Sequence, residues 1–263
     1  MADALFVRKG NFFVGTPHAS GPWDAAAMHG GAPAGLLAYG IERADSAGPM
    51  QVTRLAIDLL RPVLIGMPLE LRTRIVRPGA KVQIVESTIV MGETEVARAT
   101  ALRIRKRTVP VPPQAIADEP PPTAPRLARE YTPAANSGAF LRSNEIRFVD
   151  GDISEPGPAT AWFRLAIPVI MGEAVSPLMR VAAAADSGNG VGSVLDRERF
   201  SFINPDLVLS LHRMPAGEWI CLESSTWLEG SGIGVATTTL YYTRGRLGTG
   251  LQSLFIDHRT RAE

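Results

Sequence analysis

Two long stretches of the chain are almost entirely apolar, and each is followed by segments in which apolar and polar residues alternate. A long apolar run predicts a buried helix, whereas alternation in segments rich in Val, Ile and Thr predicts strands. The predicted helices span residues 30–45 and 176–186. The predicted strands span residues 51–63, 69–79, 80–92 and 95–107 in the first half and 206–215, 218–230, 232–245 and 249–259 in the second.

The first predicted helix is apolar on nearly every side. From Ala32 to Ile41 every residue is apolar or Gly, with Tyr39 as the most polar member. A helix with so few polar positions cannot face water and must be buried against a sheet. We therefore expect a curved antiparallel sheet to wrap around this helix.

The order of one helix and four strands occurs twice, which indicates a degenerate internal repeat of one α+β unit. The segment between Arg107 and Pro133 is rich in proline, which removes backbone donors and fixes φ, so it is predicted to be an extended connector. The predicted organisation is an N-terminal unit at 1–107, a proline-rich linker at 108–135 and a C-terminal unit at 136–263.

Composition limits the classes of partner. The formal net charge is +1 and the hydrophobic fraction is 45%, so neither nucleic acid nor a membrane surface is an expected partner. The single cysteine, Cys221, cannot form an internal disulfide and is expected to be a buried apolar residue. The first residues lack the pattern of a signal peptide, and no apolar run is long enough to span a membrane. A cytoplasmic location is therefore predicted.

Several common catalytic and metal-binding motifs are absent from the sequence. No HExxH, paired Cys or cluster of His and Asp occurs, so neither a metal nor a redox cofactor is predicted. A GxSxG elbow is missing, which disfavours serine-hydrolase chemistry. The glycine-rich segment 186–193 lacks a P-loop lysine and is predicted to end the second helix and form a loop. Asp58 is expected to be a structural partner of an arginine in the first half.

The chain resembles a known family at these motifs. A central helix entered through His29, Gly30 and Gly31 and wrapped by an antiparallel sheet resembles the hotdog fold. Two such units joined by a long connector resemble the double-hotdog acyl-CoA thioesterases of the TesB (thioesterase II) type. The resemblance implies an α+β double hotdog, hydrolysis of acyl-CoA to free acid and CoA, and no cofactor. It also allows a homo-oligomer that associates through the hotdog sheets.

The resemblance also implies a catalytic set in the second half. Asp206 lies six positions before His212 and Arg213, which matches the spacing in the family. The stretch at 223–226 supplies a hydroxyl, with Ser225 as the first choice and Thr226 as the second, and Gln252 occupies the glutamine position. In this prediction Asp206 either activates a water as general base or attacks the thioester itself.

The first-half helix departs from the family in two ways. Its start is His29-Gly30-Gly31-Ala32, where the family more often has Phe-Gly-Gly-Gln. Many single-hotdog thioesterases with His-Gly-Gly carry an acidic residue nine positions after the histidine, and Ala38 stands at that position here. Gly30 and Gly31 leave free N–H groups at the positive end of the helix dipole, so they are predicted to bind the thioester oxygen. His29 is predicted to be a helix-entry residue at this substrate-binding turn.

Two alternatives remain open from the sequence. One is a non-catalytic hotdog protein that binds acyl or aromatic ligands. The other is a hotdog hydratase or dehydratase, which requires a His paired with an acid, and the sequence shows no acid at helical spacing from His29. Convergence of Asp206, Ser225 and Gln252 on one cavity beside the helix start would favour the hydrolase.

Overall fold

The computed structural model describes residues 3–116 and 119–259. Within 3–116 a hairpin of two short strands precedes one long helix, and four long strands follow the helix. Three-residue 3-10 turns lie at Pro17–Ala19 and Pro113–Ala115. The elements are β1 (Phe6–Lys9), β2 (Phe12–Gly15), α1 (Gly31–Arg43), β3 (Met50–Leu59), β4 (Pro68–Arg77), β5 (Val82–Met91) and β6 (Thr94–Arg105).

Within 119–259 the same order recurs with additional short elements. A 3-10 turn at Pro125–Leu127 leads into the first of three strands that precede the long helix. The elements are β7 (Arg129–Tyr131), α2 (Ala139–Arg142), β8 (Asn144–Asp150), β9 (Ala159–Leu165), α3 (Pro177–Ala185), α4 (Gly188–Val191), β10 (Phe200–Ile203), β11 (Asp206–Leu211), β12 (Ile220–Glu229), β13 (Ile233–Tyr242) and β14 (Gly245–His258).

The strands of the described residues form one antiparallel sheet that crosses both halves. Its order is β1-β2-β4-β5-β6-β3-β11-β14-β13-β12-β9-β8-β7, and β10 lies beside β14. The halves join where β3 pairs with β11, with Asp58 opposite Asp206. This edge-to-edge pairing removes the open edge that each half would otherwise present, since the unpaired N–H and C=O groups of both strands find partners.

The two long helices form the core on one face of the sheet. Every residue of α1 from Gly31 to Ile41 is buried, and the helix packs against β4, β5, β6 and α3. The start of α1 meets the end of α3, because a Cβ on Gly31 would lie 2.5 Å from the carbonyl oxygen of Ala183. The expectation of a buried apolar helix is confirmed. This packing brings the start of one helix and the end of the other to one point between the halves.

The predicted helices and long strands are confirmed, with shifts at their ends. The sequence analysis missed the strands β1, β2, β7, β8, β9 and β10. The strand β9 is buried along almost its whole length and therefore lacks the alternation that marks a half-exposed strand. The connector packs against the second half, since the indole N–H of Trp162 donates to the carbonyl of Thr123 at 2.8 Å.

Two side chains of the sequence analysis have structural surroundings. The carboxylate of Asp58 accepts from Nε of Arg98 at 2.8 Å, which confirms its role as an arginine partner. Cys221 is fully buried beside Trp162 and Tyr241, and burial raises the pKa of its thiol well above the ordinary value. Across residues 3–116 and 119–259, no helix is long and apolar enough to cross a membrane.

Candidate active site

A cavity of about 420 Å³ opens where α1 begins and α3 ends. Most of its lining is apolar, which suits an acyl chain, and a small polar group converges at one place in the wall. Both halves contribute, because the first half supplies the helix entry and the second half supplies the loop after α3. The polar groups at that place are the backbone of Gly30 and the side chains of His29, Asp186, Asn189 and Asn204.

Asp186 is the buried carboxylate of this group. It caps the C-terminus of α3, and its side chain is only 3% exposed. Oδ2 lies 2.9 Å from Nδ1 of His29, and Oδ1 accepts from Nδ2 of Asn204 at 2.8 Å. A buried carboxylate requires such partners, because desolvation of an unpaired charge is costly. The two contacts fix the orientation of the carboxylate and keep it in the cavity wall.

His29 comes from the other half of the chain and orients Asp186. Its ring stacks on Phe140 with centroids 4.3 Å apart and an angle of 13° between the planes. Nδ1 lies 2.9 Å from Asp186 and 3.1 Å from the backbone N of Gly31. We assign the Nδ1 proton to the shorter contact, since a carboxylate is the stronger acceptor. The other nitrogen, Nε2, has no hydrogen-bond partner among the described residues.

Gly30 brings a backbone donor next to the carboxylate. A Cβ at this position would lie 2.7 and 2.8 Å from the two oxygens of Asp186, so only glycine fits without displacing the carboxylate. In the first turn of α1, the N–H of Ala32 donates to the carbonyl of His29, and Pro33 has no N–H. The N–H of Gly31 lies 3.1 Å from Nδ1 of His29, which cannot accept it while its own proton is directed to Asp186. The N–H of Gly30 has no acceptor in the described part of the chain. The N–H groups of Gly30 and Gly31 are therefore the free donors at this helix start within the described residues.

Gln252 supports the site from beneath. It lies on β14 and is 2% exposed. Its Nε2 donates to the carbonyl of Asp186 at 3.2 Å, and its Oε1 accepts from the backbone N–H of Asn189 at 2.9 Å. The side chain therefore bridges the break between α3 and α4. The amide holds the backbone that presents Asp186, whereas His29 and Asn204 hold its carboxylate.

The predicted hydroxyls lie on opposite faces of β12. Successive side chains of a strand point to opposite faces, so Ser224 and Thr226 face the helices and Ser225 faces away. Thr226 lies in the same register row as Gln252, with Ala236 between them. Its Oγ1 is buried and has no hydrogen-bond partner in the described ranges. The second choice of the sequence analysis thus lies nearer the site than the first.

The structure does not bring Asp206 to the cavity. Asp206 begins β11 on the face opposite to the buried Leu207 and Leu209, so its side chain points away from the helices. Its Oδ1 accepts from the backbone N–H of Ser253 at 2.6 Å, which is a strand-entry contact. The expectation that Asp206 shares a cavity with Gln252 is therefore corrected. The physical reason is the side-chain period of two, since Gln252 faces inward on β14 and Asp206 faces outward.

Sequence reasoning missed Asp186 as a site residue because it read the segment 186–193 as a helix stop. The segment does end α3, and a short helix, α4, follows at once. A signal was present, since Asp186 is an acidic residue directly after the apolar run of α3. Among the described residues, no group of three or more His, Cys, Asp and Glu side chains is placed to hold a metal ion.

Two family models match the chain at positions on both sides of this site. The model of the acyl-CoA thioesterase N-terminal domain matches residues 19–104, and that of the acyl-CoA thioesterase C-terminal domain matches residues 112–256. The chain belongs to the acyl-CoA thioesterase family. This acyl-CoA thioesterase is a thioester hydrolase of the TesB-like type, so the predicted family and enzyme class are confirmed. No curated protein matches the chain.

Solved structures share the fold over nearly the whole length of the thioesterase. A thioesterase II candidate from Thermobifida fusca YX is 20% identical, covers 97% of this chain and 96% of its own, and has a TM-score of 0.73. The acyl-CoA thioesterase II TesB2 from Mycobacterium marinum is 15% identical, covers 96% and 95%, and has a TM-score of 0.66. A protein with the hot dog fold from Alicyclobacillus acidocaldarius is 14% identical, covers 98% of both chains, and has a TM-score of 0.71. The shared fold is the hotdog fold.

Proposed function

We propose that the thioesterase is a double hotdog whose single site hydrolyses acyl-CoA with Asp186 as general base. The division is that of the sequence analysis, with units at 1–107 and 136–263 and the linker at 108–135. The observation that carries the proposal is the contact of 2.9 Å between Asp186 and His29, which joins a buried carboxylate of one unit to the helix entry of the other. An acyl chain in the cavity would place its thioester beside this contact.

In this mechanism the thioester carbonyl accepts a hydrogen bond from the free N–H of Gly30. Asp186 takes a proton from a water, and the water oxygen forms a bond to the carbonyl carbon. The tetrahedral intermediate carries its negative charge at the start of α1, where the N–H and the helix dipole stabilise it. The C–S bond then breaks, and the proton on Asp186 passes to the departing CoA sulfur. The atoms balance as free acid and CoA.

The other side chains hold this geometry. His29 keeps one oxygen of Asp186 through Nδ1, and Asn204 keeps the other. Gln252 fixes the backbone of the loop. Thr226 would hold a water with its buried hydroxyl, which has no hydrogen-bond partner among the described residues. These roles replace the sequence prediction for Asp206 and favour Thr226 over Ser225. His29 and Gly30 remain substrate-binding candidates, with Gly31 as the tight packing point behind them.

The sequence analysis left a nucleophilic aspartate open, and the site allows a direct test of it for Asp186. An attack by Asp186 would give a mixed anhydride, which water then cleaves. In a single turnover in water enriched in the heavy oxygen isotope, a general base leaves the protein unlabelled. Cleavage of an anhydride at the aspartyl carbon instead puts the label into Asp186, which mass spectrometry of the peptide detects.

The main experiment compares Asp186→Asn with Asp206→Asn. Thiol release is measured from acyl-CoA esters ranging from acetyl to palmitoyl, with a benzoyl ester included. Loss of the general base should lower kcat by about 100- to 10,000-fold in Asp186→Asn. Asp206→Asn is the matched control, because an outward-facing amide can still accept from Ser253 and should change kcat by no more than about threefold.

The opposite pattern would contradict the proposed site. If Asp206→Asn were inactive and Asp186→Asn active, the carboxylate of β11 would be the functional group. Circular dichroism and thermal melting of both variants separate a lost base from a lost fold. If both variants kept the activity of the wild type, neither aspartate would be the base.

A second function is favoured by the same contact. The hydratase alternative lacked an acid for His29 in the sequence, and the structure supplies Asp186 from the other half. Within the described residues Nε2 of His29 has no partner, so a His and Asp pair could add water to a 2-enoyl thioester. Crotonyl-CoA separates the two functions, because hydration removes the enoyl absorbance without releasing thiol. Thiol release alone would exclude the hydratase reading.

A further inference from the structure

Arg197 is a cation in the cavity wall that has no acidic partner among the described residues. It lies in the turn between α4 and β10 and lines the same cavity as Asp186. Its Nη2 donates to the carbonyl of Gly190 at 2.7 Å, while its Nε is buried and has no hydrogen-bond partner among the described residues. No carboxylate in residues 3–116 or 119–259 forms an ion pair with it.

This arrangement is unfavourable unless something else binds the guanidinium. Burial lowers the pKa of Arg197 from its ordinary value, because desolvation disfavours the charged form. The ring of Phe202, with its centroid 5.5 Å from Cζ, gives a partial compensation. The buried guanidinium of Arg103 instead donates to three oxygens, the carbonyls of Ile41 and Ala44 and the amide oxygen of Gln83. The contrast indicates that the donors of Arg197 are kept for a ligand.

The surroundings of Arg197 indicate which anion it would bind. It shares the cavity wall with Ile153, Phe202 and Ile203, which are suited to an acyl chain. The phosphates of CoA are strongly hydrated and are better matched by exposed cations such as Arg61, which also lines the cavity. A carboxylate at the end of an acyl chain would reach a guanidinium among apolar side chains and match its planar set of donors.

We infer that Arg197 receives the terminal carboxylate of a dicarboxylic acyl-CoA in the acyl cavity. The inference deepens the proposed function and rests on it, since it assumes that the acyl group occupies this cavity. It names the substrate class as acyl-CoA esters that carry an acid at the end of the acyl chain. A neutral acyl chain of the same length would leave the guanidinium without an anion.

The test measures binding with ligands that cannot be hydrolysed. The carboxypentyl thioether and the hexyl thioether of CoA are titrated calorimetrically into the wild type, Arg197→Gln and Arg199→Gln. Arg199 is the matched control, because it is exposed and lies over Phe200 outside the cavity lining. Loss of a charge-assisted contact should weaken the carboxylated ligand by about tenfold or more in Arg197→Gln, with the hexyl ligand and the control variant nearly unchanged.

Two results would overturn the inference. Equal weakening of both ligands in Arg197→Gln would mean that the residue supports the loop at Gly190 or binds a CoA phosphate. Pantetheine thioethers, which lack the nucleotide, separate these two causes, because only a phosphate contact disappears with the nucleotide. Unchanged binding of both ligands would show that Arg197 does not contact the acyl end.

Two further measurements keep the outcome clear. Arg197→Lys retains a charge and should keep part of the preference for the carboxylated ligand, even if Arg197→Gln proves unstable by thermal melting. Thiol release from adipoyl-CoA and hexanoyl-CoA is then compared in the wild type. If neither ester is hydrolysed but the binding preference persists, the proposed hydrolysis fails while the anion subsite stands.

Discussion

Each half of the thioesterase has a Ser and a Thr hydroxyl bonded to each other beneath a helix glycine. In the second half polar side chains lie around this glycine, whereas in the first half the corresponding positions are apolar. In the first half a Cβ on Gly40 would lie 2.5 Å from Oγ of Ser87 and 2.8 Å from Oγ1 of Thr73. The two hydroxyls are bonded to each other at 3.0 Å across β4 and β5. Gly40 is therefore held close against the sheet near the end of α1.

The second half repeats this contact at the start of α4. A Cβ on Gly188 would lie 2.4 Å from Oγ1 of Thr238 and 3.5 Å from Oγ of Ser224. These hydroxyls are 2.9 Å apart across β12 and β13. The shared contact identifies Gly40 and Gly188 as counterparts, which extends the internal repeat from the strands to the helices.

The positions around the two glycines differ in polarity. Two residues before Gly40 stands the fully buried Ala38, whereas two residues before Gly188 stands Asp186. Ser87 pairs with residue 99 of β6, and Ala101 lies two residues further along that strand. Thr238 pairs with residue 250 of β14, and Gln252 lies two residues further along. The first half has two alanines where the second has the aspartate and glutamine of the site.

At the starts of α1 and α3 it is the first half that has the free polar group. The first half begins α1 at a glycine turn with a free donor, whereas Ser176 and Pro177 begin α3 and the Ser176 hydroxyl accepts from the N–H of Met179. Each half thus retains one part of a site, the donor in the first and the carboxylate in the second. In the proposed mechanism the two incomplete halves therefore form one composite site.

The largest effect is expected when the missing acid is restored to the first half as Ala38→Asp. Ala38 is fully buried in an apolar core, so an unpaired carboxylate there should lower the free energy of unfolding by about 3–5 kcal/mol. Urea denaturation measures this change. Ala38→Asn controls for size and should cost less, because it buries no charge. If Ala38→Asp were as stable as the wild type, position 38 would tolerate a carboxylate as position 186 does, and the contrast between the two halves would fail.

Smaller effects are expected from two substitutions, one at the C-terminal end of α1 and one at the C-terminal end of α3. Arg103 donates to the carbonyls of Ile41 and Ala44 at the end of α1, so Arg103→Met should lower the free energy of unfolding by about 1–3 kcal/mol with kcat unchanged. Gln252→Leu should instead lower kcat, since it releases the loop that carries Asp186. Denaturation and steady-state kinetics on both variants test the separation. Equal losses of kcat in the two variants would contradict the view that the end of α1 has only a structural role and that the end of α3 belongs to the site.

The smallest effect concerns the two neighbouring hydroxyls of β12. Thr226→Val removes the inward hydroxyl and should lower kcat by about two- to tenfold, the range of one neutral hydrogen bond. Ser225→Ala removes the outward hydroxyl and should leave kcat within error. Thiol-release kinetics on an acyl-CoA of the preferred length measure both. A larger loss in Ser225→Ala would restore the first choice of the sequence analysis.

Much of the fold follows from the sequence, because periodicity records which face of an element is buried. The apolar run of α1 predicted a buried helix, and alternation predicted the long strands that follow it. The order of helix and strands predicted the repeat. The fully buried β9 escaped detection for the same reason, since burial on both faces leaves no period to read.

The site was predicted less completely. The sequence analysis selected His29, Gly30 and Gln252, and in the structure each of them lies beside Asp186, a residue that it did not select. Asp206 was selected by spacing from a motif, but spacing does not state which face of β11 the side chain occupies. One position along a strand reverses the face, so a choice between neighbouring residues requires the register.

The sequence by itself determined the family, the two helices, the alternating strands and the glycine turn that leaves a donor free. Only the tertiary structure decided that this helix start lies beside a carboxylate from the other half, because their proximity depends on how α1 packs on α3 and how β3 pairs with β11. Local patterns specify burial within one element, whereas His29 and Asp186 are brought together by long-range contacts that no local pattern encodes.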